Sequence, residues 1–136
     1  MMASKPILTL EDAKRVAAAA EAEAARNNWG VVVAVVDDGG HLLYLQRSHT
    51  TQFGSVETAI AKAYAAIAFR RPTKASEDAV LSGRLIHLAL PNVIPAEGGV
   101  PLLIDGVVVG ALGISGVRSA EDGQVAAAGL AALTTD

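Results

Sequence analysis

The stretch PAEGGVPLLIDGVVVGALGISG, residues 95–116, decides how this chain folds. Two aliphatic runs, GVPLLI and VVVGALGIS, are separated by the pair Asp105–Gly106, which is typical of a tight β-hairpin turn. Strands joined by a two-residue turn must be antiparallel, so this segment excludes an all-parallel sheet. One carboxylate, that of Glu97, stands at the start of the hairpin, directly before two residues without side chains.

Similar patterns elsewhere in the chain predict the remaining elements. The runs GVVVAVVD and HLLYLQR flank the turn DDGG and predict another hairpin over residues 31–47. Helical periodicity predicts one helix from Thr9 and Asp12, which resemble a capping box, to about Arg26, and another over roughly 55–70. A short helix, an irregular proline-containing segment and a closing helix complete the order α-β-β-α-α-β-β-α.

The composition indicates one compact domain over residues 1–136, because 51% of the residues are hydrophobic and only 18% are charged. We expect an α+β fold in which both hairpins share a central antiparallel sheet, with flanking helices in a two-layer arrangement and the terminal helices on one face. Aromatic residues make up only 4% of the chain, so aliphatic residues and alanine must fill the core. Such a thin core predicts that subunit association covers further apolar surface, giving a homo-oligomer, a dimer or higher.

Several classes of function are excluded by what the sequence lacks. The net charge is −3 and no basic run exceeds two residues, so we expect no nucleic-acid partner. No apolar run of membrane-spanning length and no secretory signal is present, so we expect no membrane partner and a cytoplasmic location. The absence of cysteine excludes disulfides, cysteine-ligated zinc, iron–sulfur clusters and thiol catalysis. No metal-binding motif built from histidines or carboxylates occurs either.

The segment AEGG has a functional and a structural interpretation, and the sequence leaves both open. In the first, Gly98 and Gly99 expose backbone N–H groups beside Glu97, forming a polar patch for a substrate oxygen or a propionate. A desolvated Glu97 would then serve as a general base. In the second, the glycines permit positive φ or close helix–sheet packing, and Glu97 accepts backbone hydrogen bonds or pairs with an arginine.

Three basic residues of the second helix are candidates for binding an acidic ligand. Arg70 and Arg71 lie at its end, where cations stabilise the helix dipole, but arginine also binds carboxylates through two hydrogen bonds. Lys62 lies eight residues before Arg70, within about 80° around the helix axis, so one face of this helix would be basic. Taken alone, Lys62 is more simply interpreted as a solvated surface residue.

The loop after the second strand carries the leading candidate for iron binding. His49 lies there beside Thr50 in the hydroxyl-rich stretch RSHTTQFGS, and loops on a rigid scaffold often contact ligands. We take His49 as the candidate haem-iron ligand or acid–base group, and Thr50 as a candidate ligand contact. His41 is expected at an exposed turn edge, and His87, among apolar neighbours, is expected to be a hydrogen-bonded core or interface residue.

Five segments, in this order and at this spacing, resemble the GlcG/HbpS-like haem-binding family: LTLEDAKRVAAAAEAEA, VAVVDDGGHLLYLQR, AIAKAYAAIAFRRPT, LALPNVIPAEGGVPLLIDGVVVGALGISG and EDGQVAAAGLAAL. The resemblance covers nearly the whole chain. It implies a profilin-like or PAS-like domain, assembly into dimers or higher closed oligomers, and haem binding in some members. Members of this family also occur as domains attached to a cobalamin adenosyltransferase and as small proteins that accompany catabolic enzymes.

The chain departs from many members of this family in one loop. An Asp-Gly pair commonly follows the arginine of the second strand, whereas RSHTTQFGS stands here, with His49 and Thr50 in its place. That loop is expected to face the ligand, although no motif assigns an axial iron ligand.

Three functions remain open at this level. The first is a haem or small-molecule binding protein that accompanies a catabolic pathway, with haem as its cofactor or none. The second is a cofactor-independent lyase, isomerase or tautomerase acting on a small acidic intermediate, with Glu97 or His49 as proton carrier and Arg70 or Arg71 holding the carboxylate. The third is a structural accessory subunit. We rank ligand binding first.

Overall fold

The computed structural model describes residues 1–134, and its elements follow the predicted order. They are, in chain order, the helix α1 (Leu10–Arg26), the strands β1 (Val32–Asp37) and β2 (Leu42–Arg47), the helices α2 (Gly54–Phe69) and α3 (Lys74–Leu81), a 3₁₀ turn (Leu85–Leu88), the strands β3 (Gly99–Ile104) and β4 (Val107–Ser115), and the helix α4 (Ser119–Thr134).

The four strands form one antiparallel sheet in the order β2-β1-β4-β3. Each predicted hairpin contributes a neighbouring pair, and the two hairpins join where β1 lies beside β4, with Val32 opposite Ser115. On the other side of β4, Gly99 of β3 lies opposite Gly113. The α+β class and the single antiparallel sheet are therefore confirmed, and β2 and β3 form the two edges.

Helices cover both faces of this sheet. The terminal helices α1 and α4 pack together on one face, against alternate residues of β1 such as Val33 and Val35. The helix α2 packs on the other face, against Val32, Ala34 and Val36. The terminal helices share one face as expected, and α2 adds a layer beyond the two described from the sequence, because β1 is apolar at successive positions and so buries both of its faces.

The helix α2 lies unusually close to β4, which determines what its side chains can reach. A Cβ atom on Gly113 would overlap the backbone of α2 at Ala59 and Ala63. Glycine on the strand and alanine on the helix therefore allow the two backbones to approach, as glycine in strands often does. The Lys62 side chain, on the inner face of α2, extends to the Ile114 carbonyl near the end of β4.

Local signals explain where the helices begin and end. The N-cap Thr9 accepts a hydrogen bond from the backbone of Asp12 at 3.1 Å, and the Asp12 carboxylate accepts one from the Thr9 backbone, which confirms the capping box. The helix α2 ends at Arg70, which adopts the left-handed conformation with φ 54° and ψ 43°. Across residues 1–134, no helix is both long and apolar enough to cross a membrane.

Candidate functional site

Lys62 is a buried residue, so its interpretation as a solvated surface residue is wrong. Its side chain is 3% exposed, and its ammonium group donates to Asp122 Oδ2 at 3.0 Å and to the Ile114 carbonyl at 2.9 Å. Lys62 follows Ala59 by three residues and adjoins Ala63, both of which face the sheet. Burial raises the pKa of the Asp122 carboxyl, and the neighbouring ammonium opposes that shift. The pair is a buried structural link between α2 and the first turn of α4.

Gly98 and Gly99 pack closely against Lys62, and Gly98 also lies beside its partner Asp122. Both are buried, and the Gly99 amide donates to Thr73 Oγ1 at 2.9 Å. Gly98 has φ +134°, and a Cβ there would lie 2.5 Å from the Ile114 carbonyl oxygen and 3.0 Å from the Lys62 ammonium nitrogen. The predicted exposed backbone patch is therefore corrected, because both glycines are buried. Positive φ and close packing account for Gly98, and close packing against the Lys62 carbonyl and Thr73 accounts for Gly99.

Glu97 lies beside α4 with its carboxylate free of hydrogen bonds from residues 1–134. The side chain occupies the space over Gly123, where a Cβ would overlap its carboxylate. The Glu97 backbone amide donates to Glu77 Oε1 at 3.0 Å, which joins this segment to α3. Neither of the structural roles considered for its carboxylate, an arginine partner or backbone hydrogen bonds, is present among these residues. Glu97 as a whole is partly exposed.

Arg70 and Arg71 follow each other in sequence but line different clefts. Arg70 reaches a polar cleft near the two hairpin turns, lined also by Lys5 and Asp38. Arg71 stacks on the Phe69 ring, 5.5 Å from its centroid, and lines a narrow apolar cleft. The left-handed conformation at Arg70 turns the chain between them. Since Lys62 is buried, the predicted basic face along α2 does not form.

Glu97 and Arg70 cannot act on one small ligand within a single chain. Arg70 lies near Val107, where β4 begins, whereas the Gly98 carbonyl accepts from Ile114 near the end of β4. The strand between these ends is roughly 25 Å long. The predicted combination of Glu97 with an Arg70 carboxylate clamp is therefore not assembled.

His49 and Thr50 are both exposed in the loop after β2, at the opposite sheet edge from Glu97. Thr50 Oγ1 lies 2.9 Å from Ser48 Oγ, and His49 forms no hydrogen bond within residues 1–134. The next residue, Thr51, has a buried hydroxyl group that lacks a hydrogen-bond partner in the described part of the chain. The loop therefore offers polar groups, and the His49 ring is exposed.

The other two histidines lie where they were expected, His87 hydrogen-bonded and buried and His41 exposed at a turn. The His87 ring is buried and lies 3.2 Å from Ser76 Oγ through Nδ1. The His41 ring is exposed in the turn between β1 and β2, 3.3 Å from the Asp37 carboxylate. No group of three or more histidine or carboxylate side chains within residues 1–134 is placed to hold a metal ion.

Sequence reasoning missed an apolar groove along the outer side of α2. We call it the α2 groove; its volume is about 410 Å³ and its lining residues are Glu57, Ile60, Ala61, Tyr64, Asn92 and Ile94. Ile94 also lines the narrow cleft that contains Arg71, so the groove and that cleft are neighbours. The i, i+4 spacing of Ile60 and Tyr64 was a visible signal, because it places both on one helix face. The segment that covers them, between Pro91 and Pro95, has no such periodicity.

Comparisons with known proteins agree on one family. The family model described as "Haem degrading protein HbpS-like" matches residues 8–131. Protein GlcG of Escherichia coli K12 is 42% identical over 114 residues, which cover 84% of this chain and 85% of GlcG.

Solved structures of the same kind share the fold. A crystal structure of HbpS superimposes with a TM-score of 0.87 at 31% identity, covering 97% of this chain and 94% of that one. The structure of the PduOC:heme complex superimposes with a TM-score of 0.82 at 32% identity, covering 93% of this chain and 95% of PduOC.

Proposed function

The chain belongs to the HbpS-like family, and we propose that it is a ligand-binding protein. Its ligand is haem, or another largely apolar molecule that carries a carboxylate, and it binds in the α2 groove. The observation that carries this proposal is the groove itself, whose walls are formed by Ile60, Ala61, Tyr64 and Ile94. Apolar walls with few polar groups are typical of small-molecule sites. The relative solved in complex with haem supports haem as the first ligand to test.

The charges around the α2 groove favour one orientation of such a ligand. Glu57 lines the groove itself, whereas Arg71 lines the neighbouring cleft, which shares Ile94 with the groove. A ligand carboxylate would be repelled by Glu57 and attracted by the Arg71 guanidinium, which can donate two parallel hydrogen bonds. Stacking on Phe69 restricts the Arg71 side chain and so lowers the entropy cost of binding.

The chain has a suitable group for each part of haem. The apolar walls of the α2 groove suit the faces of the ring, Arg71 suits its carboxylates, and Tyr64 or His49 could bind its iron. Tyr64 brings a phenol into the groove, and His49 offers an exposed imidazole on a separate loop. Tyrosine and histidine are both established haem-iron ligands, and the bound group would supply a redox-active iron. Because only Tyr64 lines the groove, we expect it to contribute more to haem binding by a single chain than His49 does.

Titration of the purified protein with hemin tests this proposal. We expect a saturable shift of the Soret band and an affinity that falls about tenfold in Arg71→Gln, because a charged hydrogen bond is lost. Arg70→Gln is the matched control: the same change one residue earlier alters a different cleft and should leave the affinity unchanged. Tyr64→Phe and His49→Ala compare the two iron donors. Unsaturable binding, or equal losses in the two arginine variants, would contradict the α2 groove as the site.

We also propose that the protein acts as a homo-oligomer. Four large apolar side chains around the 3₁₀ turn are strongly exposed: Leu81, Leu85, Ile86 and Leu88, at 78%, 62%, 56% and 62%. Contiguous apolar surface of this kind commonly marks an interface. Sedimentation at micromolar concentration should show a dimer or larger species, and Ile86→Asp should shift it towards the monomer. A monomer of 13.9 kDa across that range would contradict the proposal.

Proton-transfer catalysis is the second candidate, and one observation favours it. The Glu97 carboxylate has no hydrogen-bond partner within residues 1–134, so it is free to exchange a proton with a small acidic intermediate. An enzyme of this kind would also need a cation to hold the substrate carboxylate, and the two arginines line other clefts. Lys74 is close enough to Glu97 to be influenced by its charge, but the Lys74 ammonium group is bound to Asp78. The geometry therefore favours binding over lyase, isomerase or tautomerase activity.

A further inference from the structure

A second pocket lies on the opposite face of the sheet from the α2 groove, between α1 and the edge strand β2. Its volume is about 250 Å³, and its lining residues are Glu21, Ala24, Ala25, Trp29, Val31, Gln46 and Ser48. The lining combines one carboxylate, one aromatic ring, small aliphatic side chains and two neutral polar groups. We call it the α1 pocket.

The carboxylate of the α1 pocket carries a negative charge that no cation among residues 1–134 balances. Glu21 Oε2 accepts a hydrogen bond from the Tyr44 hydroxyl at 2.8 Å, and Glu21 forms no ion pair within residues 1–134. The nearest arginine along α1 towards its end, Arg26, is bound to Glu23 instead. Partial burial raises the pKa of the Glu21 carboxyl, which reflects the cost of holding this charge away from water. A cation entering the pocket would relieve that cost.

The aromatic wall of the pocket is Trp29, which is the one tryptophan of the chain. It is partly buried and packs against the main core, so its position is held while part of it faces the pocket. Aromatic rings attract cations, and tryptophan does so most strongly. Ala24 and Val31 complete an apolar wall. Such a wall packs favourably against hydrocarbon, whereas it cannot form hydrogen bonds with the water shell of a metal ion.

We propose that the α1 pocket binds a small primary alkylammonium ion. Its charged nitrogen lies against the Glu21 carboxylate, and its short alkyl chain packs against Trp29 and Ala24. The Gln46 amide oxygen, which lies 3.0 Å from the Tyr44 hydroxyl, can accept a further hydrogen bond through its second lone pair. A carboxylate or phosphate ligand would be repelled by Glu21. An inorganic cation would lack ligands, because no cluster of three metal-binding side chains occurs in the described part of the chain. The proposal does not depend on haem binding, since the two sites lie on different faces.

Because Trp29 is the single tryptophan, its fluorescence reports on this pocket alone. Purified protein is titrated with n-butylammonium chloride at constant ionic strength and neutral pH, and in parallel with n-butanol and sodium butyrate. We expect the Trp29 fluorescence to change saturably with the ammonium ion. The alcohol should bind at least about tenfold more weakly, and the butyrate anion should cause no change. Equal responses to the alcohol and the ammonium ion would overturn the proposal, as would the absence of saturation with the ammonium ion.

Two variants separate the pocket from general electrostatic attraction. Glu21→Gln keeps an acceptor for Tyr44 and removes the charge, so it should fold and bind the ammonium ion at least about tenfold more weakly. Glu23→Gln removes the same charge from the same helix, two residues away and outside the pocket, and should bind normally. Equal losses in both variants would overturn the proposal. The thermal midpoint of each variant and the NMR signal of its one indole N–H confirm that the fold is intact, so a loss in Glu21→Gln is attributable to the site.

Discussion

The ammonium nitrogen of Lys62 lies 3.0 Å from Asp122 Oδ2, and both side chains are 3% exposed. This contact joins α2, which covers one face of the sheet, to α4, which covers the other. Asp122 Oδ1 also accepts from the Val117 backbone at 3.2 Å, so the same carboxylate holds the loop that follows β4. One buried ion pair therefore links both helical layers and a connecting loop, and it lies where the sequence led us to expect a solvated lysine.

Lys62→Met should lower the free energy of unfolding by about 3–5 kcal/mol, because it leaves the Asp122 carboxylate buried without a counter-charge. Denaturant unfolding measures this loss. Lys74→Met is the matched control: it breaks an exposed pair with Asp78, of 2.8 Å, and should change stability little. If the two variants unfold at the same denaturant concentration, the buried pair does not have the structural role assigned to it.

Gly98→Ala should cost more stability than conformational strain alone can explain. Gly83 has φ +100° and open space where a Cβ would stand, so Gly83→Ala measures strain alone, about 1 kcal/mol. Gly98 has φ +134°, and a carbonyl oxygen lies 2.5 Å from the place its Cβ would occupy, which adds a steric cost of about 1–3 kcal/mol. Thermal unfolding of both variants compares the costs, and equal losses would show that the site near Lys62 tolerates a methyl group.

Glu97→Gln should leave the melting temperature within a few degrees, because this carboxylate has no hydrogen-bond partner within residues 1–134. Gly123→Ala tests the same carboxylate without changing its charge, since the added methyl group displaces the flexible Glu97 side chain. Any proton-transfer activity should fall in both variants. If Glu97→Gln instead unfolds the protein or dissociates its oligomer, Glu97 is a structural residue.

Stability should fall as the pH rises from about 10 to about 12. Burial and the neighbouring Glu21 carboxylate raise the pKa of Tyr44 to about 12, whereas tyrosine in an unfolded chain titrates near pH 10. Between these values the folded protein retains a proton that the unfolded chain has released, so the free energy of unfolding decreases. Melting temperatures across this range should decline less steeply in Tyr44→Phe than in the unmodified protein, and Tyr64→Phe should leave the decline unchanged.

Arg70→Gly should raise stability by about 0.5–1 kcal/mol. Within residues 1–134, four non-glycine residues have positive φ; three are asparagine or aspartate, which tolerate it, and the fourth is Arg70. Glycine relieves this strain at a helix C-terminus. Arg70→Ala removes the same guanidinium without relieving the strain and should bring no gain. A higher melting temperature for the alanine variant than for the glycine variant would contradict this explanation.

The elements of this fold are predictable from the sequence because each depends on neighbouring residues. Asp105–Gly106 between two aliphatic runs predicts a hairpin, since turn chemistry and strand alternation act over a few positions. Thr9 and Asp12 predict the start of α1 for the same reason, through hydrogen bonds that span three residues. The resemblance carried by residues 95–116 likewise indicated the family, because it rests on the order of the residues.

The candidate site depended on contacts that only the tertiary structure decides. Lys62 is buried because α2 turns that face towards the sheet, and its partner, Asp122, lies 60 residues further along the chain. The Arg70 and Arg71 side chains line different clefts because Arg70 adopts the left-handed conformation and changes the direction of the chain. Helical spacing in the sequence does not reveal such a change. Whether a side chain faces solvent, a groove or a partner is set by how whole elements pack, and that packing is governed by the summed burial of distant residues rather than by any local pattern.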